Sequence, residues 1–499
     1  MVAPARVALA LGAAAVAAAL APAAARAQAG DGAAAAIGAA VEASIRERPL
    51  LHSARVGIAV VDVATGRELY ARDGDGGYSV ASNAKLATAA AALARLGPDF
   101  RYETAVYADT FDAASGTVRG DLIAVGRGDP SLDADDLRRL ARQLRAAGVR
   151  RVTGGLALDD SYFDAEALPP HFDEQPDEHA SFRAPVSALA LNFNAVAIVV
   201  RPGAKAGAPA VVSVDPPNDY VRVAGGVATT RSGRQRVSVV PVARPGALEV
   251  KVAGRVRADS GVRRYRLRVP DPFAYFGAAL RHALAAEGIQ LRRRTVVRAT
   301  PSPQALRLAA VASPPLAVLV RGMGKYSNNF VAEMVFKTLG AESRAEPGPA
   351  TWRDAQRAVR DFLVADIGLA DGSFRLENGS GLFDATDMTP RQLARLLRAA
   401  YRDFRYGPDF VAALAFGGAD GTLSERFVDG PADRQVRAKT GTLDGVSALS
   451  GYVAVDGARP LAFSILVNDV PDARGALRDA RGLQDDIVEA LIAWLREPP

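Results

Sequence analysis

Hydrophobic positions along the chain change rhythm several times. Ile37, Val41 and Ile45 recur every fourth residue and predict a helix over 33–46. Val56 to Val63 is a continuous apolar run and predicts a strand. Ala64-Thr65-Gly66 turns it, and Glu68 to Ala71 reads as its hairpin partner. After Ser79-Val80-Ala81-Ser82, the run Asn83-Ala84-Lys85-Leu86 opens an alanine-rich helix to Leu96, which Gly97-Pro98 stops.

From about 103 to 268 the period shortens. Alternating segments at 104–109, 120–125, 195–201, 210–214 and 237–253 are separated by turns such as Gly128-Asp129-Pro130 and Pro202-Gly203. Helical spacing is brief there, near 133–147. This stretch is expected to be a mostly β insertion of one or two subdomains. Helical spacing returns at 271–287, 328–339, 351–367 and 389–403. Val436 to Thr442 predicts a strand running into an Asp444-Gly445 turn, and Ser447–Val455 and Leu461–Asn468 complete a meander. A last helix over 476–496 puts Leu483, Ile487, Leu491 and Leu495 on one face. Its other face carries Asp485, Asp486 and Glu489, which anionic lipid would repel, so it should pack on the sheet. The order implies one α/β domain, in segments 28–102 and 269–499, split by the insertion at 103–268.

Composition narrows the chemistry. The 499 residues are 49% apolar and 23% charged, an ordinary globular balance for two or three domains. There is no cysteine, which excludes disulfides, thiolate nucleophiles and iron–sulfur clusters. The four histidines, His52, His171, His179 and His282, make no HxxxH or HExxH spacing, so neither a metal nor another cofactor is expected. The net charge of +6 is small and of interspersed sign, which argues against nucleic-acid binding. Residues 1–27 read as an export leader. Arg6 is its positive end, Val7 to Leu20 its apolar core, and Ala25-Arg26-Ala27 its cleavage site. No later run of about 20 apolar residues suggests a membrane-spanning helix. The mature protein is expected to be exported and soluble in the periplasm, without a stable transmembrane anchor. Its oligomeric state, a homodimer included, is left open.

Lysine carries the chemical signal. Only six of the 61 basic residues are lysines: Lys85, Lys205, Lys251, Lys325, Lys337 and Lys439. Arginine keeps its proton in proteins, whereas desolvated lysine can lose it. Lys85 follows Ser82 by three residues at a helix start, where the two side chains share a face. A neutral lysine there could take the serine proton, while free backbone N–H groups favour developing negative charge. The plain alternative for Ser82 is a helix cap. Ser327-Asn328-Asn329 also opens a helix. Ser327 could relay a proton and Asn329 could bond a substrate amide, or both could cap. Lys439-Thr440-Gly441-Thr442 lies on a predicted strand. Lys439 with Thr440 or Thr442 could receive a substrate carboxylate, and Gly441 would let substrate approach the backbone. A solvated surface strand is the alternative.

Ser-x-x-Lys, Ser-x-Asn and Lys-Thr-Gly in this order form the motif set of penicillin-binding proteins and class A β-lactamases. The long gap between Lys85 and Ser327 excludes a simple β-lactamase. The chain resembles the class C low-molecular-weight penicillin-binding proteins, the D-alanyl-D-alanine carboxypeptidase/endopeptidases of peptidase family S13. Further stretches carry the resemblance: Gly128-Asp129-Pro130-Ser131-Leu132, Asp159-Asp160-Ser161, Ala184 to Leu189, Leu191-Asn192-Phe193-Asn194 and Asn378-Gly379-Ser380-Gly381-Leu382. Phe383-Asp384 stands where the family usually has Ser-Arg, and Arg127 where glycine is usual. The resemblance implies a serine β-lactamase/DD-peptidase-like α/β domain, an antiparallel sheet with helices on both faces. It implies Ser82 as acyl-forming nucleophile, Lys85 as general base, Ser327 as proton shuttle, and Asn329 as a donor-peptide contact. Lys439, Thr440 and Thr442 would hold the carboxylate, with the backbone N–H groups of Ser82 and Thr442 as oxyanion hole. The partners implied are peptidoglycan peptides, with β-lactams as covalent inhibitors. A β-lactamase or esterase on the same platform, and a catalytically idle wall-binding protein, are the alternatives.

Overall fold

The computed structural model describes residues 23–174, 180–346, 348–383 and 385–497. The leader expected over 1–27 lies outside the described residues as far as 22, and a helix, Ala23–Arg46, begins at its end.

Six antiparallel strands form the central sheet, in the order Glu68–Arg72, Arg55–Asp62, Leu461–Asn468, Val446–Val453, Val436–Leu443 and Ala415–Phe416. The expected hairpin and meander are its core. The two middle strands, Val446–Val453 and Leu461–Asn468, are buried at every residue. Their near-continuous apolar sequence fits a sheet covered on both faces.

The first and last helices cover one face. Val41 of the first packs with Leu483, Ile487 and Leu491 of Ala476–Arg496, as the spacing of the last helix predicts. Its acidic face is used by protein: Asp485 takes Arg426, and Asp486 accepts from Ser44 at 2.6 Å. No helix among the described residues is long and apolar enough to cross a membrane. The other face carries Ala84–Leu96, Leu316–Tyr326, Asn329–Glu342, Trp352–Ala365 and Pro390–Arg402 around a second core.

The insertion differs from the expectation in extent and character. It runs past 268. Leu306–Ala312 pairs with Glu103–Ala108, in a five-stranded sheet with Leu122–Val125, Leu156–Asp159 and Val296–Arg298. The chain therefore leaves the insertion beside the point where it entered. Two helices, Ala134–Ala146 and Pro272–Ala286, bury Leu140, Leu144, Phe276 and Leu280 in the same core. This part is mixed α/β, since a helix connects the parallel strands Leu122–Val125 and Leu156–Asp159. Only 195–268 is all β. There the stretch read as one strand over 237–253 is two, Arg236–Arg244 and Ala247–Arg257, folded at Gly246.

Candidate active site

The Ser82-x-x-Lys85 motif sits at a turn followed by a helix. Ala81–Asn83 is one 3₁₀ turn and Ala84–Leu96 continues it, with no side chain capping either start. The capping alternative for Ser82 is thereby removed. Its hydroxyl instead accepts from Lys85 Nζ at 2.9 Å. Ala81 holds a left-handed φ of 46° to deliver it, a strain that L-residues normally avoid at about 1–2 kcal/mol.

Lys85 is 1% exposed. Besides Ser82 it donates to Asn329 Oδ1 at 2.8 Å and to the Ser380 carbonyl at 2.9 Å. Burial pulls its pKa down from 10.5 to about 7, against the opposing pull of the Glu333 carboxylate. Near neutrality a large fraction is therefore unprotonated, the state a general base needs.

Ser327 is the last residue of the turn after Leu316–Tyr326, with φ 56°. Asn328, not Ser327 or Asn329, caps the next helix by accepting from Val331 N at 3.1 Å. That division of labour frees both flanking side chains. Asn329 bonds Lys85, and Ser327 Oγ accepts from Lys439 Nζ at 2.9 Å. Lys439 is buried, and burial followed by repulsion from Lys85 holds its pKa well below the ordinary lysine value. The three motifs thus meet through two lysine–serine pairs, linked by the Lys85–Asn329 bond.

The Lys-Thr-Gly strand lies beside this cluster. Its outer neighbour, Ala415–Phe416, pairs only with Arg437 and Ala438. From Lys439 onward that edge has no partner strand among the described residues. Thr440 Oγ1 donates to Thr422 Oγ1 at 2.8 Å, and Thr442 is exposed, accepting from Arg481 at 3.4 Å. Gly441 is also needed for packing within the protein. A Cβ there would stand 3.0 Å from the Val80 carbonyl and 3.1 Å from Ala81 Cβ. The glycine lets the turn that carries Ser82 approach the strand.

Sequence reading missed Glu333. This carboxyl is 1% exposed, one helical turn after Asn329. It accepts from Gly379 N at 2.9 Å and Ser380 N at 2.8 Å. Burial raises its pKa, and those amides together with Lys85 pull it back. Glu333 fixes the segment whose carbonyl rests on Lys85. The only sequence signal was its i+4 spacing from Asn329. Gly379 and Gly381 belong to this clasp, since a Cβ on Gly381 would lie 2.0 Å from the Ala81 carbonyl. Phe383, beside it, packs edge-on against Phe172, and Asp384 lies outside the described residues.

Comparison with known proteins agrees. The sequence model of the D-Ala-D-Ala carboxypeptidase 3 (S13) family matches residues 37–489. The chain is 35% identical over 439 residues to a D-alanyl-D-alanine carboxypeptidase of Actinomadura, covering 85% of this chain and 80% of that protein. It is 26% identical to D-alanyl-D-alanine carboxypeptidase DacB of Haemophilus influenzae, covering 78% and 80%. The crystal structure of penicillin-binding protein 4 (dacB) of Haemophilus influenzae superposes with TM-score 0.74 at 23% identity, covering 90% of this chain and 99% of that one. A fold, a motif set and a family match that agree over most of the length place this chain in the S13 family of D-Ala-D-Ala carboxypeptidases.

Proposed function

We propose that the protein is a serine-type D-Ala-D-Ala carboxypeptidase that works through a Ser82 acyl-enzyme and also cuts D-alanyl cross-links of peptidoglycan. The buried, partly neutral Lys85 on the Ser82 hydroxyl carries this reading. Lys85 takes the Ser82 proton as Oγ attacks the penultimate D-alanine carbonyl. The N–H groups of Ser82 and Thr442 receive the oxyanion, a contribution of about 10²–10³ in rate per donor. As the tetrahedral species collapses, the proton taken by Lys85 passes through Ser327 to the leaving amine, while Lys439 keeps its own proton and its 2.9 Å bond to Ser327 Oγ. Asn329 uses Oδ1 on Lys85, leaving its amide N–H groups for the donor peptide. Lys439, Thr440 and Thr442 hold the terminal carboxylate. Water then frees the acyl group.

Penicillin carries a carboxylate and a strained amide in the same relation, and its opened ring stays attached. It should acylate Ser82 and leave slowly. The site belongs to an enzyme exported to the periplasm, where this substrate lies. The test is D-alanine release from a D-Ala-D-Ala-terminated pentapeptide. Wild type should release it, whereas Ser82→Ala, with an unchanged fold, should not. Release by the variant would contradict the proposal.

A further inference from the structure

A cavity of about 470 Å³ opens between Ser327 and Asn329 on one side and the insertion on the other. Its insertion wall is a three-stranded sheet, Val211–Asp215, Ala195–Arg201 and Arg263–Arg268. Asp215 and Arg266 both pair with Ala197, so the three stand in one cross-strand row. Two-residue alternation puts Ala195 and Arg264 on the same face. The alanines keep the floor low where larger residues would fill the space.

The charges are unequal. Arg264 is satisfied by Asp215 at 2.6 Å. Arg266 is exposed, and its guanidinium has no hydrogen bond or ion pair among the described residues. The opening therefore presents one uncommitted guanidinium, a fork shaped for a carboxylate.

The rim is aromatic and exposed. Tyr326 is 71% exposed and Phe193 40%. Phe193 is held outward at a cost: Asn192, Phe193 and Asn194 have successive φ values of 49°, 60° and 47°. Buried Asn194 maintains this, donating to the Pro185 carbonyl at 2.8 Å and accepting from Leu191 N at 3.1 Å. The result sets Phe193 edge-on to Phe330 of the Asn329 helix, at 6.0 Å. Strain of this kind persists where the surroundings enforce it, and it clusters at binding sites.

Ser327, proposed above to protonate the leaving nitrogen, lines the cavity. A single D-alanine would fill a fraction of a volume suited to a larger ligand. We infer that this cavity is the subsite for the leaving strand of a cross-linked peptide, with Arg266 receiving a carboxylate of that strand. The inference rests on the acyl-transfer function proposed above.

The test compares wild type, Arg266→Glu and Arg266→Lys on a D-alanyl-cross-linked peptide dimer and on a D-Ala-D-Ala pentapeptide. Benzylpenicillin acylation reports an intact Ser82 site. For Arg266→Glu, kcat/KM should fall about tenfold or more further on the dimer than on the pentapeptide, the worth of one charge-assisted contact. Arg266→Lys, keeping the charge, should lose less. Equal losses on both substrates, no loss, or a wild type that cuts the pentapeptide and leaves the dimer intact would overturn the inference and spare the carboxypeptidase reading. A wild type that cuts neither substrate and takes no penicillin would mean that the function proposal has failed first.

Discussion

At the residue scale the proposed chemistry turns on a lysine that is poorly placed to keep its proton. Three acceptors surround Lys85 Nζ, and the side chain is buried. Arginine at this position would hold the charge and lose the base, so Lys85→Arg should slow acylation by benzylpenicillin by about 10² or more, followed by intact mass against time. The acylation rate of the wild type should rise with pH through about 7 as Lys85 deprotonates. Removing a neighbouring negative charge disfavours the ammonium. Glu333→Gln should therefore move this acidic limb to lower pH, and an unmoved limb would deny Glu333 its electrostatic part. Stability follows the same group. The folded state holds fewer protons on Lys85 than the unfolded chain between about 7 and 10.5, so its contribution to stability grows as pH rises through that window. Lys85→Met should flatten that part of the profile in denaturant titrations.

Ser82, Lys85, Ser327, Asn329 and Lys439 were legible because each motif is contiguous and lysine is scarce. Glu333 was not, because its contact with Ser380 joins positions 47 residues apart in the chain. A carboxylate inside an apolar helix has no local signature of what it binds.

At the element scale, caps decide where the helices of the site begin. Thr389 accepts from Gln392 N at 3.1 Å while Gln392 Oε1 accepts from Thr389 N at 2.9 Å, and Pro390 opens the helix. Thr389→Ala should cost about 1 kcal/mol in urea unfolding and leave penicillin acylation unchanged. Such signals made 271–287, 351–367 and 389–403 readable to within two residues of their helices. Leu316–Tyr326, which places Ser327, was missed. Gly322 and Gly324 weaken its helical signal. Gly324 is there because a Cβ would lie 2.2 Å from the Ala413 carbonyl. Close packing, invisible from one segment, overrode propensity.

At the scale of the molecule, the insertion and the catalytic helices are joined by buried charge. Lys337, two turns beyond Asn329 on the same helix, donates to Asp164 at 2.6 Å and to the Glu166 carbonyl at 2.7 Å. It also lies over the Trp352 ring at 4.5 Å. Asp164→Ala would leave this cation buried and unpaired, a loss of about 3–5 kcal/mol measurable as a lower thermal midpoint. Adding Lys337→Met should recover most of it. The insertion's true end was illegible because Leu306–Ala312 belongs to it only through pairing with Glu103–Ala108. A return strand of that kind announces itself by its partner, not by its own pattern.

The central claim is that Ser82 forms a covalent acyl-enzyme with Lys85 as its base. The most direct test is the intact mass of the purified protein mixed with benzylpenicillin, followed over time beside Ser82→Ala. A gain of one drug mass that persists for many minutes in the wild type and is absent from the variant is the predicted result. The account would be contradicted if no adduct accumulated, or if Ser82→Ala were labelled equally.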